Sequence, residues 1–422
     1  MLGGIQKKMA STPHHTAATI YPCCVPTLGD STGAGCVGLA AAKIHCFLGP
    51  YKHFQHQLLM VILALKFAPL MKPLSQLLSL VIGSLLWIQC GTSPKGDSAY
   101  FEIVFKKDQK TFTQTDTINL AVLTKLSLNA DSVHWSVKHN KMGPVSIENG
   151  ILPLNNWPMG AHKIQARIFT PEGQKNIAKV FTVVAGEKPV LYTFTILERF
   201  PHDIKAYTQG LEFDGQDLYE STGQYGQSSL RKLDLKQGKV LRNQPLDNAF
   251  FAEGLTIFQD KIIQLTWREN TGLVYDKESF ELIDQFQYDQ SMQGWGLCTD
   301  DQWLYKSDGT EKIWRLDPVT YKELDYIEVY TDKLKVDQIN ELEWVDGKIY
   351  ANIYQKDAIA IVDPQSGAVE GVINLKGLQK EVTQHQQLDV LNGIAYDGTP
   401  DQLYLTGKNW DQIFKIQVQE KQ

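Results

Sequence analysis

Five short segments of this chain enter an apolar strand through a polar turn: Thr208-Gln209-Gly210-Leu211, Ala252-Glu253-Gly254-Leu255, Gly294-Trp295-Gly296-Leu297, Ile339-Asn340-Glu341-Leu342 and Leu391-Asn392-Gly393-Ile394. Counted from the last apolar residue of each, position −2 carries Gln209, Glu253, Trp295, Asn340 and Asn392. Trp267 and Tyr354 stand at +12 of their repeats, and Lys408 at +14 of its own. A carboxylate can move a proton, an ammonium and amide N–H groups can hold a developing oxyanion, and rings exclude water. Polar residues that cap strand ends explain any one of these positions. A different polar group at the same offset in every repeat points instead to a functional mouth.

Other chemistries fit the residues less well. After residue 190 the only histidines are His202 and His385, with no metal-ligand spacing between them, and a Ser-His-Asp triad lacks histidines to draw on. His202-Asp203 reads as turn chemistry beside Pro201. A calcium-dependent lactonase site would need several carboxylates at the mouth, where Glu253 stands with Glu341 and Glu343 as neighbours. No G-x-x-x-x-G-K-[ST] phosphate loop occurs. Neither a metal nor a cofactor is expected.

The elements that position these residues follow from the same repeat. The apolar anchors lie 44, 42, 45 and 52 positions apart, and each is followed by a turn and a second strand, as at Asp214-Gly215 before Leu218-Tyr219 or Asp346-Gly347 before Ile349-Tyr350. A period of about 40–50 residues with several short strands marks a β-propeller. Five units predict five blades over residues 191–422, with −2 and +12 at one end of a central channel. Upstream, residues 100–187 alternate in short strand-like runs such as Tyr100-Phe101-Glu102-Ile103-Val104-Phe105 and His162-Lys163-Ile164-Gln165-Ala166-Arg167-Ile168-Phe169. They predict a small immunoglobulin-like β-sandwich, a spacer or docking module. Its histidines His134, His139 and His162 are scattered on strands as surface or packing residues. The expected fold class is therefore all-β.

Composition splits the chain differently. Of 422 residues, 43% are hydrophobic and 21% charged, which is globular, and a net charge of −6 argues against nucleic acid as a partner. The first ninety residues hold six lysines, no arginine and one acid, Asp30, which leaves 35 basic and 46 acidic side chains, a net of −11, to the rest. Cys23, Cys24, Cys36, Cys46 and Cys90 are early, and Cys298 alone comes later, as a buried strand cysteine. Met71-Lys72-Pro73 precedes an apolar run, Leu74 to Ile88, that ends at Cys90. Residues 71–90 thus resemble a bacterial lipoprotein export signal with Cys90 as the lipidated residue, although Trp87, Ile88 and Gln89 replace the usual small residues. Residues 91–99 read as a tether and residues 1–70 as a non-structural leader, with Met71 a plausible start. The chain is expected to be exported, periplasmic or membrane-anchored through a lipid at Cys90.

The repeat segments resemble the propeller-type, metal-independent glutaminyl-peptide cyclotransferases. The similar stretches are Phe200-Pro201-His202-Asp203 through Tyr207-Thr208-Gln209-Gly210-Leu211, Phe251-Ala252-Glu253-Gly254-Leu255, and Gly294-Trp295-Gly296-Leu297 with Ser307-Asp308-Gly309-Thr310. Then come Ile339-Asn340-Glu341-Leu342-Glu343-Trp344, Leu391-Asn392-Gly393-Ile394-Ala395 and Thr406-Gly407-Lys408-Asn409-Trp410, in the family's order. The resemblance implies a five-bladed propeller that turns the N-terminal glutamine of peptides or proteins into pyroglutamate with release of ammonia. It implies Glu253 as general acid and base, and Asn340, Lys408 and Gln209 as polar catalytic positions. It also implies Trp267, Trp295, Tyr354, Phe251 and Tyr207 as substrate-binding rings. Tyr354 stands where the family usually has tryptophan, so a ring is kept. The alternatives are a non-catalytic peptide- or glycan-binding propeller and a lactonase-like hydrolase.

Overall fold

A computed structural model describes residues 96–106, 109–139 and 143–422. The expected leader (1–70), the expected signal (71–90) with Cys90, and most of the expected tether lie outside the described residues. The regular elements from Gly96 onward are β-strands, apart from two short 3-10 turns at Asp97–Ala99 and Leu378–Glu381. None of the helices among them is long and apolar enough to cross a membrane.

The first layer is a pair of sheets. Strands Phe101–Phe105, Thr117–Thr124 and Ile151–Pro153 form one, and a second, five-stranded sheet is centred on Gly160–Thr170 and Gly173–Val184. Gly160–Thr170 alternates buried and exposed residues along most of its length, the signature of a sheet wet on one face. Phe101, Ile103 and Ile118 from the first sheet share one core with Trp135, Ile164, Ile168 and Phe181 from the second.

The remainder is built of four-stranded antiparallel units. Three are separate sheets, running from Thr208–Asp214 to Lys239–Pro245, from Ala252–Phe258 to Leu282–Gln287, and from Leu297–Thr299 to Glu323–Glu328. The last two units merge into one eight-stranded sheet. The unit of Leu391–Ala395, Gln402–Gly407 and Gln412–Glu420 takes Val190–Pro201 as its outer strand. That strand pairs antiparallel with Gln412–Glu420 and, at Val190–Tyr192, parallel with Gly371–Ile373. The two ends of the repeat region are thereby hydrogen-bonded together.

Burial runs from the centre outward. Every residue of innermost Ala252–Phe258 is buried, whereas outermost Leu282–Gln287 is exposed nearly throughout. The innermost strands pack side by side in a closed cycle, with Leu391–Ala395 meeting Thr208–Asp214. Five core clusters each lie between consecutive units: Tyr219 and Leu230 with Leu255 and Leu273, for example, and Leu211 and Leu218 with Ala395, Tyr404 and Ile413 to complete the cycle. The result is a propeller-like ring.

Two local devices shape the mouth of this ring. Glycine at position −1 lets neighbouring inner strands touch: a Cβ on Gly254 would stand 2.6 Å from the Leu297 nitrogen, and one on Gly296 2.1 Å from the Asn340 oxygen. Four inner strands also carry a β-bulge at the turn. Ala252 faces Thr266 but Leu255 faces Gln264, so one extra residue is accommodated at Glu253-Gly254. The same slip occurs beside Gln209, Asn340 and Asn392. A bulge bends its strand and re-aims a side chain.

Candidate functional site

The bulged strand entrances surround a cavity of about 230 Å3 lined by Tyr207, Gln209, Gln224, Phe251, Glu253, Trp267, Trp295, Asn340, Tyr354 and Lys408. The four polar positions and five rings anticipated from the sequence all lie on it. Gln224 was not anticipated. It sits at +13 from Leu211, between the +12 of Trp267 and Tyr354 and the +14 of Lys408, so the same counting over +12 to +14 would have found it. Its backbone has φ +95°, a left-handed conformation in the turn between two strands. In the third repeat the +12 position is Gly309, where a Cβ would stand 2.5 Å from the Trp295 ring, so the absent side chain makes room for the indole.

Asn392 departs from the expected ring of −2 residues. It is completely buried beneath the cavity, and its Nδ2 donates to the Thr208 carbonyl (3.0 Å) and to Gln209 Oε1 (3.1 Å). Accepting through Oε1 leaves the Gln209 NH2 as the end free to donate. Asn392 thus holds a lining residue and does not line the cavity itself.

Glu253 and Lys408 are the two charged groups of the lining, and both are nearly inaccessible (4% exposed each). Burial pushes the Glu253 carboxyl well above the usual carboxylate range. Lys408 draws it back down, and Glu269 adds to the rise. Burial likewise lowers the Lys408 ammonium, against the pull of Glu253 and Asp389. No ion pair joins the two among the described residues. The Lys408 Nζ instead lies 4.9 Å from the Tyr207 ring centre and 5.4 Å from that of Tyr354, so aromatic faces share in stabilising its charge. Tyr207 is fixed by its hydroxyl, which donates to Asp389 Oδ2 at 2.9 Å.

The aromatic wall has its own support. The indole N–H groups of Trp267 and Trp295 both donate to a single oxygen, Gln293 Oε1, at 2.8 and 2.9 Å. Gln293 lies in a connecting segment off the repeat offsets, which is why the sequence pattern passes over it. The segment is anchored by a fully buried pair, Lys306 and Glu323, 3.1 Å apart. The Lys306 Nζ donates to the Gln293 carbonyl (2.9 Å), while Gln290 and Ser291 backbone N–H groups donate to Glu323 Oε2. Phe251 extends the wall, tilted against Trp267 with ring centres 5.5 Å apart.

His202 corrects the expectation of simple turn chemistry. It is buried, its Nε2 lies 2.9 Å from Glu220 Oε1, and its Nδ1 lies 2.9 Å from the Trp410 carbonyl. Burial opposes the charge of both members, but each charge outweighs this for the other: His202 is raised and Glu220 lowered, with Arg231 assisting. The pair ties the first and last repeats together below Thr208, whose hydroxyl also donates to Glu220. Glu341 and Glu343 are not at the mouth. They accept from the Ile394 and Tyr396 backbone N–H groups in the next repeat. Cys298 is buried on a strand, and burial raises its thiol well above the usual range. Among the described residues, no group of three or more His, Cys, Asp or Glu is placed to hold a metal.

The chain is thus an all-β, propeller-like ring with a small, aromatic-walled polar cavity at its mouth. The family model described as glutamine cyclotransferase matches residues 170–418. A glutaminyl-peptide cyclotransferase of Arabidopsis thaliana is 40% identical over 228 residues, which span 53% of this chain and 71% of that one. The crystal structure of Myxococcus xanthus glutaminyl cyclase superposes with a TM-score of 0.52 at 32% identity, covering 56% of this chain and all of that one. The chain belongs to the glutamine cyclotransferase family.

Proposed function

We propose that this chain is a glutaminyl-peptide cyclotransferase that converts the N-terminal glutamine of peptides or proteins to pyroglutamate, with Glu253 moving the proton. The observation that carries this is the cavity itself. It has room for about one residue, and it sets one buried carboxyl and one buried ammonium among rings and carboxamides.

The substrate's α-amine must be neutral to attack, and its ordinary pKa is about 7.7–8.0. Its nitrogen bonds to the side-chain amide carbon of the same glutamine, closing a five-membered ring. Glu253 takes a proton from that nitrogen and returns it to the departing NH2 as the C–N bond breaks, so ammonia leaves and the carboxylate is restored. A carboxyl raised by burial suits both halves of this transfer, and such steps contribute about 10²–10⁴ in rate. The oxyanion of the tetrahedral intermediate falls to Lys408, Asn340 and the Gln209 NH2 that Asn392 leaves free. Trp267, Trp295, Phe251, Tyr207 and Tyr354 hold the glutamine stem folded for attack and keep water out.

The ring is proposed to be a five-bladed propeller over residues 191–422 whose last two blades are fused by Val190–Pro201. The two sheets of residues 100–187 are proposed to form an immunoglobulin-like sandwich. The character of residues 71–90 supports export, to the periplasm or to a lipid anchor at Cys90.

The test is a chelator-treated sample incubated with a Gln-initiated peptide. Loss of one ammonia by mass, abolished by Glu253→Gln, is the expected result. A peptide that binds unchanged would assign a binding propeller, and activity equal in Glu253→Gln would remove Glu253 from its role.

A further inference from the structure

A second and larger concavity, of about 750 Å3, lies beside the site on the third repeat. We propose that it is the subsite for the substrate chain downstream of its terminal glutamine, and that it favours an apolar residue next to an acidic one. This rests on the cyclotransferase reading above.

The small cavity accommodates about one residue, so the rest of a polypeptide must leave across its rim. The topology shows which neighbour the rim has there. The connection before Leu297–Thr299 and the turn Asp308–Thr310 occupy the same ends of their strands as Glu253 and Trp267 do in the second repeat. One end of the groove, at Asp308, Thr310 and Lys312, therefore lies at the same strand ends as the mouth, and from there it runs down the outer strand to Leu324 and Asp325. The partition between them is the Gln290–Gln293 segment. On one side Gln293 Oε1 holds the two indoles, and on the other Met292 projects, 75% exposed. The buried Lys306–Glu323 pair anchors this partition from below, so both concavities share one rigid wall.

The chemistry of the groove limits its occupant. Trp314 and Tyr326 form an aromatic floor with ring centres 4.8 Å apart, and Leu324 adds an apolar edge, 46% exposed. Of the carboxylates present, Asp325 pairs with Arg315 at 2.7 Å, and Asp308 is held at the turn end by the neutral Trp314 indole and Thr310 hydroxyl. Lys312 is different. Its Nζ lies 4.4 Å from the Tyr326 ring centre and 5.4 Å from that of Trp314, and no carboxylate among the described residues pairs with it. One uncommitted cation beside exposed apolar side chains complements an acidic residue next to an apolar one.

The experiment compares kcat/KM for a glutaminyl dipeptide amide and for a Gln-initiated hexapeptide carrying a Leu-Glu pair after its second residue. The wild-type protein is expected to favour the hexapeptide by roughly tenfold, about what one apolar group in a pocket supplies. Lys312→Glu and Met292→Asp, both surface changes, are expected to abolish that preference and leave the dipeptide unchanged. The proposal is overturned if the wild type shows no preference for the longer peptide, or if the preference survives both variants. It is also overturned if the preference is lost only on Arg268→Ala, since that guanidinium stacks 3.6 Å over the Trp267 ring and does not line the groove. Failure to cyclise either peptide is a separate result that removes the cyclotransferase reading and this subsite with it.

Discussion

Gln293→Met removes the one oxygen that accepts both indole N–H groups of the site and leaves a side chain of similar length. Two hydrogen bonds are lost, at 2.8 and 2.9 Å. Each is worth about 0.5–1.5 kcal/mol net, so together they hold the rings with about 1–3 kcal/mol. At about 1.4 kcal/mol per factor of ten, the expected loss in kcat/KM is about five- to 150-fold. Most of it should fall on kcat, because in the proposed reaction the rings position the glutamine stem for attack and do not simply attract it. The assay is ammonia release from a Gln-initiated peptide, run beside tryptophan fluorescence. Freeing the indole N–H groups should shift the emission of Trp267 and Trp295. Gln293→Glu keeps the acceptor and should recover most of the activity and the emission. Unchanged kcat with a shifted emission would refute the positioning role, because the rings would then have moved without consequence. Loss of activity in Gln293→Met and Gln293→Glu alike would show that the double acceptor is not what matters.

Lys408→Met should cost about 10²–10³ in kcat, the usual loss of one oxyanion donor. It should also move the acid limb of the kcat/KM profile to higher pH, because the cation that draws Glu253 down is gone; a limb that stays or moves to lower pH would contradict the coupling. Asn392→Leu frees the Gln209 amide to rotate and should lower kcat more than it raises KM, whereas an effect on KM alone would argue against a role in the transition state. Stability should fall as pH rises from about 4.5 towards 8, because burial raises Glu212 to about 8, and Glu341 and Glu343 well above 4.5, so the folded chain binds more protons than the unfolded one in that window. Urea unfolding across this range should show the decline, and Glu212→Gln should flatten it. A wild-type midpoint that climbs with pH would sink the assignment.

The period of the repeats and the offsets −2 and +12 were legible in the order of residues. Strand, turn and returning strand are local, and their lengths bring Glu253 and Trp267, or Asn340 and Tyr354, to one strand end without knowledge of the rest. The family resemblance rests on those same short segments. Counting at +13 would have added Gln224. The burial of Cys298 was equally readable from its apolar strand.

Other features depend on contacts between distant parts of the chain. Asn392 shares its offset with Asn340, yet only the closure of the last repeat on the first turns it towards Gln209, 183 residues away. Gln293 belongs to no repeat position, and its role exists only because two indoles from different repeats converge on its oxygen. His202 reads as a turn residue until Glu220 and the Trp410 carbonyl enclose it. The raised Glu253 and lowered Lys408 likewise arise from exclusion of water, a property of the assembled ring and not of either residue. Sequence alone therefore determined which chemical groups recur and at which strand ends. The tertiary structure decided which of them face the cavity, which hold the others in place, and what charge each favours, because orientation and desolvation follow from packing.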